Sequence, residues 1–584
     1  MVSAMNALLI LSTYGAFIFA ILGLFRPTEA LVRRIYAWVP VPALVIGVIS
    51  ILRPDMEVRS LPNLLLGASV GLDELGRAFL ILSAGVWLIA GLYSRNYFAN
   101  GVQERLFRFS FLVTYSGTTG LAIAQDAASF YTGYALMTIG GYGLVVNVRN
   151  QAALLAGRVY FIVAFFGELL TLAGIIIAAS TASGFSFTEI IESIRTSKAG
   201  AWSFWLIFVG FGTKVGLVPI HFWLPRSYFW APLPAVAVLS GAMTKAGVLG
   251  WLRFLSGYES NLASAVIVFA GALMAFYGVF FGVLQTRAKT TLAFSSLSQM
   301  GYLTIGLATI VEAGAVFDRA MAAITAFAFH HGVTKVALFL GLGLLAKTRP
   351  RSKSYWFMLA ALGICALSLI GVPLSGGAYA KALLKEAGTA EGVWSSVSGA
   401  VMTAGSIGTA LIMLRFITLC ARRERDQVQP TGAWVSWGLS FLIVFLGAWL
   451  FPYALTTLGF SGRTTLSFAE SFMAFIPVAI GVFVVGAATF KIWTRQAHLS
   501  PRPFDTILQR VYKAVWEDFP RAFNEFIDLA SQFLSWFYLS LQPERKAKEL
   551  ASFARSLQTS WFIGCTFFLV IGLVIWSCLA GGRS

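Results

Sequence analysis

The chain of 584 residues is 58% hydrophobic and only 12% charged, about half the charge of a soluble globular protein. That balance excludes a water-soluble enzyme, a disordered chain and a coiled coil, each of which needs more polar surface. The net charge of +18 reads as basic loops beside a membrane in preference to a nucleic-acid footprint. A spanning helix takes about 20 mostly apolar residues. The sequence predicts such helices near 4–25, 35–52, 74–93, 107–124, 128–147, 157–179, 201–219, 233–256, 262–284, 291–311, 318–346, 355–384, 397–418, 434–452, 472–492 and 560–580. This is an all-α polytopic membrane protein of about 14–16 spans. The first span follows no Lys or Arg and precedes no small-residue cleavage site, so it reads as retained and not as a signal peptide.

Loop charge sets the expected orientation. Odd-numbered loops carry eighteen basic residues, among them Arg33, Arg34, Arg105, Arg108, Arg149, Arg287, Lys289, Arg349 and Arg422, against eight in the even loops, Lys385 included. The positive-inside rule then puts the odd loops in the cytoplasm and the N-terminus outside, in a bacterial inner membrane. Residues 503–541 differ: Phe504, Leu508, Val511, Val515, Phe519 and Phe523 recur at three-to-four spacing with Arg510, Lys513, Glu517 and Arg521 between them. That pattern predicts an amphipathic helix along the membrane surface, bent at Pro520, with 560–580 anchoring its far end.

No nucleotide, metal or redox site is legible. The four cysteines, Cys365, Cys420, Cys565 and Cys578, form no CxxC pair, and no phosphate loop occurs. No cofactor is expected, and the chain must draw on an ion gradient or a partner.

Ionisable residues stand where lipid should forbid them, at about 2.5–3.5 kcal/mol each near the bilayer centre. Glu168, Lys214, Lys245, the His330, His331 and Lys335 group, and Lys381 all fall inside predicted spans, with His221 and Asp126 as further candidates. His331 and Lys335 are four apart, hence on one helix face. Helix breakers accompany two of the lysines: Gly212, Gly216 and Pro219 around Lys214, and Gly371, Pro373, Gly376 and Gly377 before Lys381. Paired broken spans at corresponding positions of two five-span blocks point to an inverted-repeat ion carrier. Internal salt bridges and snorkelling are the plainer accounts of the charges, and glycine-mediated helix packing is that of the glycines, though it leaves the adjacent Pro and Lys unexplained.

Four stretches carry a family resemblance: GTKVGLVPIHFWLPRSYFWAPLPAVAVLSGAMTKAGVLGWLRF (212–254), FSSLSQMGYLTIGL (294–307), HHGVTKVALFLGLG (330–343) and GVPLSGGAYAKALL (371–384). They resemble the proton-conducting antiporter-like family: antiporter-like subunits of respiratory complex I, Mrp antiporter subunits, and membrane subunits of formate hydrogenlyase-type hydrogenases. The wording is closest to the hydrogenase branch. The resemblance implies N-terminal spans over 1–106, two inverted five-helix half-channels over 107–256 and 257–420, C-terminal spans over 421–500, a surface helix over 501–545 and an anchor over 546–584. It also implies a proton pathway through Lys214, Lys245, His331, Lys335 and Lys381. One departure stands out: the family usually has a glutamate in the fifth span, and Ala135 occupies that place. Glu168, one span later, is the expected substitute. The implied function is a proton-translocating subunit of a multisubunit redox complex, with other membrane subunits and a peripheral redox module as partners. The competing readings are an Mrp-type sodium/proton antiporter subunit, a coupling subunit for inorganic-carbon uptake, and a structural scaffold.

Overall fold

The computed structural model describes residues 2–52, 59–61, 68–98, 102–312, 317–390, 395–421 and 433–460, with a few more between 472 and 483. The chain divides into Met1–Phe490 and Lys491–Ser584, and the described residues all belong to the first unit. The expected surface helix and anchor span lie outside them, as does most of the expected span 472–492.

Helices follow one another with short connections: α1 Val2–Leu22, α2 Arg26–Ile35, α3 Pro40–Leu52, α4 Glu74–Arg95, α5 Val102–Ile123, α6 Ala127–Val145, α7 Gln151–Ala179, α8 Phe187–Thr196, α9 Gly200–Val215, α10 Trp223–Trp230, α11 Leu233–Val238, α12 Thr244–Phe254, α13 Asn261–Val283, α14 Ala288–Glu312, α15 Phe317–Lys347, α16 Lys353–Ile370, α17 Gly376–Ala390, α18 Ser395–Ala421 and α19 Trp434–Thr457. Among the described residues ten helices are long and apolar enough to cross a membrane; the chain is a multi-pass helical membrane protein. Two further predicted spans, α5 and α6, form full helices of 22 and 19 residues. Both are more polar than the ten because they face protein: Thr114, Ser116, Thr118, Thr119 and Thr138 are buried, and Thr114, Thr118, Thr119 and Thr138 spend their hydroxyls on their own helix carbonyls. Helix α13 lies at the other extreme, exposing Leu262, Val266, Phe269, Leu273, Phe276 and Phe280 along one stripe, the surface that lipid solvates.

Two small elements are additions to the expected all-helical architecture. Strands β1 Arg59–Leu61 and β2 Ala68–Val70 form an antiparallel hairpin. It is tied to the α5–α6 turn by Gln125 N–H donating to the Ser69 carbonyl (2.9 Å) and Ser69 N–H donating to the Asp126 carboxylate (2.6 Å). Three residues per strand are too few for alternation to register as a sequence signal. Helix α8 is a surface helix opened by a capping box, Ser186 with Glu189. The Ser186 side chain holds the Glu189 carboxyl below its ordinary value.

Both expected helix breaks are present. Helix α9 ends on Gly216 (φ 95°, ψ 36°) and α16 on Gly371 (φ 94°, ψ 41°). These left-handed caps cost glycine nothing and L-residues about 1–2 kcal/mol. The chain resumes as α10 and α17, so a helix break with short flanking helices stands beside each of these two lysines.

Close backbone approach positions the polar residues. A Cβ on Gly167 of α7 would collide with Thr213 of α9, and one on Gly332 of α15 with the Gly241 carbonyl. These contacts set α7 on α9 beside Glu168 and Lys214, and α15 on the α11–α12 helix beside His331. A five-residue π turn, Leu239–Met243, separates α11 from α12 immediately before Lys245, the type of local widening found most often at functional positions.

Part of the odd-loop charge is consumed internally. Arg105 donates to Glu29 at 2.8 and 2.7 Å, and Arg108 pairs with Glu104 (2.7 Å) and Glu29 (3.3 Å). These two arginines therefore brace α2 against α5.

Candidate functional site

Seven ionisable side chains from five helices gather inside the bundle. Exposure is 5% for Glu168, 1% for Lys214, 0% for Lys245, His331 and Lys335, and 2% for His330. These values exclude snorkelling for the six, since a snorkelling amine reaches the surface. Lys381 is half-buried.

The row starts between α6, α7 and α9. Lys214 Nζ donates to Thr138 Oγ1 (2.6 Å) and Tyr160 OH (3.2 Å), and lies over the rings of Tyr134 and Tyr160 at 5.4 and 5.0 Å. Thr138 also neighbours the Glu168 carboxylate, whose charge reaches Lys214. The Thr138 hydroxyl accepts from Lys214 and donates to the Tyr134 carbonyl, and no direct ion pair joins acid and amine among the described residues. One oxygen of Glu168 has no hydrogen-bond partner in the protein. Ala135, in place of the family's usual glutamate, lies on α6 three residues before Thr138.

Two buried tyrosines lie beyond this group. Tyr160 neighbours Tyr228, and Tyr228 neighbours Ser240 and Thr244. Lys245 Nζ donates to the Ser240 carbonyl in the π turn and to Thr244 Oγ1 at 3.3 Å. The Ser240 hydroxyl lies 3.2 Å from that of Ser296 on α14.

His331 is the hub. Lys245, Lys335, His330 and Lys381 all lie within its electrostatic reach, and neither of its ring nitrogens is hydrogen bonded to protein. A buried polar atom without a partner costs about 1–3 kcal/mol, so this ring calls for bridging water. Lys335 Nζ donates to the Leu292 carbonyl at 2.9 Å and also faces Lys245. Like charges on these neighbouring amines would repel one another.

The far end is built differently. His330 Nε2 contacts Ser368 Oγ (3.0 Å) and Thr334 Oγ1 (3.2 Å), and the Lys381 charge reaches this ring. Lys381 Nζ donates to the free Ile370 carbonyl at the break (2.9 Å) and to Ser406 Oγ (3.5 Å), over the Tyr302 ring at 5.5 Å. It lines a cavity of about 70 Å³.

Two of the nine sequence candidates stay apart. Asp126 caps α6, accepting from Ser129 N–H (2.8 Å) and Ser129 Oγ (2.6 Å). His221 packs edge-on against Tyr277 at 4.5 Å. No group of His, Cys, Asp and Glu suited to a metal occurs among the described residues. The residues that sequence reasoning missed are the hydroxyls: Thr138, Tyr160, Tyr228, Ser240, Ser296 and Ser368. Of these only Ser296 had a visible signal, the polar run FSSLSQMGYL (294–303) in an otherwise apolar helix.

Residues 124–411 match the model of the family described as NADH:quinone oxidoreductase/Mrp antiporter, TM. The match takes in 288 of the 584 residues, from the α5–α6 turn into α18, and so includes the seven gathered side chains. Among curated relatives it is 26% identical over 284 residues to NADH-quinone oxidoreductase subunit M of Rickettsia typhi, covering 47% of this chain and 55% of that protein. It is 24% identical over 401 residues to a Na(+)/H(+) antiporter protein of Alkalihalophilus pseudofirmus, covering 65% of this chain and 80% of that one. The chain spans about half the length of the first curated relatives it matches. In fold it is similar to a chain of the Mrp complex from Dietzia sp. DQ12-45-1b, with a TM-score of 0.73, 18% identity, and coverage of 98% of this chain and 63% of that one.

Proposed function

We propose that the chain is a proton-translocating, antiporter-like membrane subunit of a multisubunit, redox-driven complex of the NADH–quinone or hydrogenase type. The observation that carries this reading is the row itself. Four lysines, two histidines and one glutamate, with buried hydroxyls beside several of them, lie between one broken helix and the other inside the protein. Hydroxyls and imidazole both donate and accept, and an amine can give up a proton, so the row has the chemistry of a relay. Protons enter from the cytoplasmic side near the basic loops, pass Glu168, Lys214 and Lys245, move by His331 and Lys335, and leave by Lys381. Residues 107–256 and 257–420 act as two half-channels in inverted orientation, with Glu168 standing in for the acid absent at position 135. The partners are other membrane subunits and a peripheral redox module, in a bacterial inner membrane, with the N-terminus outside.

A second reading, as part of an Mrp-type secondary antiporter, rests on coverage: the match takes in 80% of the Alkalihalophilus antiporter protein against 55% of the Rickettsia oxidoreductase protein. Purification of the tagged chain with its native partners, followed by reconstitution into vesicles, separates the two. Proton uptake driven by an electron donor and indifferent to sodium is the expected result. Uptake that needs a sodium gradient and no electron donor selects the second reading, and absence of either overturns both.

A further inference from the structure

Lys385 counts in the sequence as one more even-loop charge, but in the fold it forms part of a cavity wall. Lys381 and Lys385 lie one turn apart on α17, about 6 Å along the axis, and both line the cavity of about 70 Å³ at the broken helix. That volume exceeds the 10–15 Å³ or so a single water requires. The facing wall is α18. Lys385 Nζ donates to Thr403 Oγ1 at 3.0 Å, and Lys381 Nζ to Ser406 Oγ at 3.5 Å. Each of these hydroxyls donates its own hydrogen to a helix carbonyl, Thr403 to Gly399 and Ser406 to Met402, both at 2.9 Å. Their oxygens are therefore turned toward the lysines as acceptors. Among the described residues lining the cavity, the polar side chains are these two amines and the hydroxyls of Tyr302, Thr403 and Ser406, groups that can hold water in a chain between the lysines.

Depth orders the two amines. Lys381 precedes the end of α17 at Ala390 by nine residues and Lys385 by five, which is about 14 Å and about 8 Å along a helix. Lys381 is half-buried and Lys385 exposed. The cavity therefore connects the last enclosed amine of the row to one near the end of the span.

We propose that Lys385 is the exchange residue through which Lys381 passes protons to the aqueous phase at the Ala390 end of α17, by way of the cavity the two lysines share. This rests on the reading of Lys381 as the end of the proton row. Titration, and not charge alone, is what the step requires. Arginine keeps the charge but does not release a proton in proteins, which makes Lys385→Arg the discriminating variant.

The test uses the intact complex in vesicles, comparing proton uptake by Lys385→Arg, Lys385→Gln and Lys381→Ala per assembled complex. The expected result is a fall of at least about tenfold for both Lys385 variants and loss of uptake for Lys381→Ala. Wild-type uptake in Lys385→Arg overturns the inference, since charge then suffices. Wild-type uptake in Lys385→Gln with loss in Lys381→Ala overturns the inference and leaves the pathway standing. Wild-type uptake in Lys381→Ala overturns the pathway itself. Where Lys385→Gln fails to assemble, Lys385→Arg decides, together with Lys385→Cys in a chain lacking its native cysteines. A membrane-impermeant thiol reagent is expected to label that cysteine from the Ala390 side of the membrane; labelling from the opposite side or none from either contradicts the exit route.

Discussion

The two broken helices carry the same device and finish it in opposite ways. At α9 the lysine precedes the glycine cap and is enclosed, with Thr138 between it and Glu168 and tyrosine rings on two sides. At α17 the lysine follows the cap and faces a cavity lined by hydroxyls and a second amine. An enclosed amine–acid pair responds to charge. Removing or protonating the acid would make the charged amine less favourable. An amine on a cavity, held by a carbonyl and hydroxyls, responds to the proton supply around it. On the proposed pathway the first would serve as a gate and the second as a port, with Lys245 and His331 between them.

Breaking the connection is expected to have the largest effect. Lys245→Ala leaves the two ends intact and separates them; coupled proton uptake should fall by about a hundredfold or more while the complex still assembles, as read by vesicle uptake and native gel. The gate itself is next. Glu168→Gln should lower uptake by about ten- to a hundredfold, and adding Ala135→Glu to it should recover a large part, because that position lies on α6 one turn from Thr138. Equal uptake in Glu168→Gln and wild type removes the gate from the account and leaves the port. Thr138→Val keeps the volume and deletes the hydroxyl that accepts from Lys214; a hydrogen bond to a charged group contributes about 1.5–3 kcal/mol, so a fall in uptake of about tenfold is expected.

The smallest effect on transport is expected at Asp73, which belongs to neither end. Burial alone would raise its carboxyl, and the Arg253 guanidinium, donating at 2.6 Å and by a second bond, outweighs that and holds it below the usual carboxylate range. A depressed carboxylate stabilises the fold above its unfolded-state value and loses that contribution as pH falls through the lowered one. Asp73→Asn should cost about 1 kcal/mol at neutral pH, visible as a lower melting temperature in detergent that converges with wild type in acid, with uptake per assembled complex unchanged.

The amines were legible in the sequence and their connections were not. A lysine or glutamate in an apolar span is expensive, so Glu168, Lys214, Lys245 and Lys335 stand out one at a time. A threonine or serine in the same span costs little, because it bonds to the carbonyl four residues back, as Thr138 does to Tyr134. Composition therefore does not distinguish a linking hydroxyl from an idle one. The glycine breaks at Gly216 and Gly371 were readable because only glycine adopts that backbone cheaply, whereas the π turn before Lys245 has no residue signature. Asp126 has the look of a membrane acid, yet it is a helix cap; the Asp-x-x-Ser spacing before α6 carried that information. Lys385 reads as a loop charge because the apolar run stops at Leu384, while α17 continues to Ala390.

A map of the chain within its native complex, in lipid and at a resolution that shows ordered water, tests the central claim most directly. The account predicts water in contact with both ring nitrogens of His331 and in the Lys381 cavity, so that every gap between Glu168 and Lys385 is bridged by a hydroxyl, an imidazole or a water. Dry side-chain packing around His331, isolating Lys214 and Lys245 from Lys381 in the resting complex and in the complex supplied with its electron donor, would contradict it.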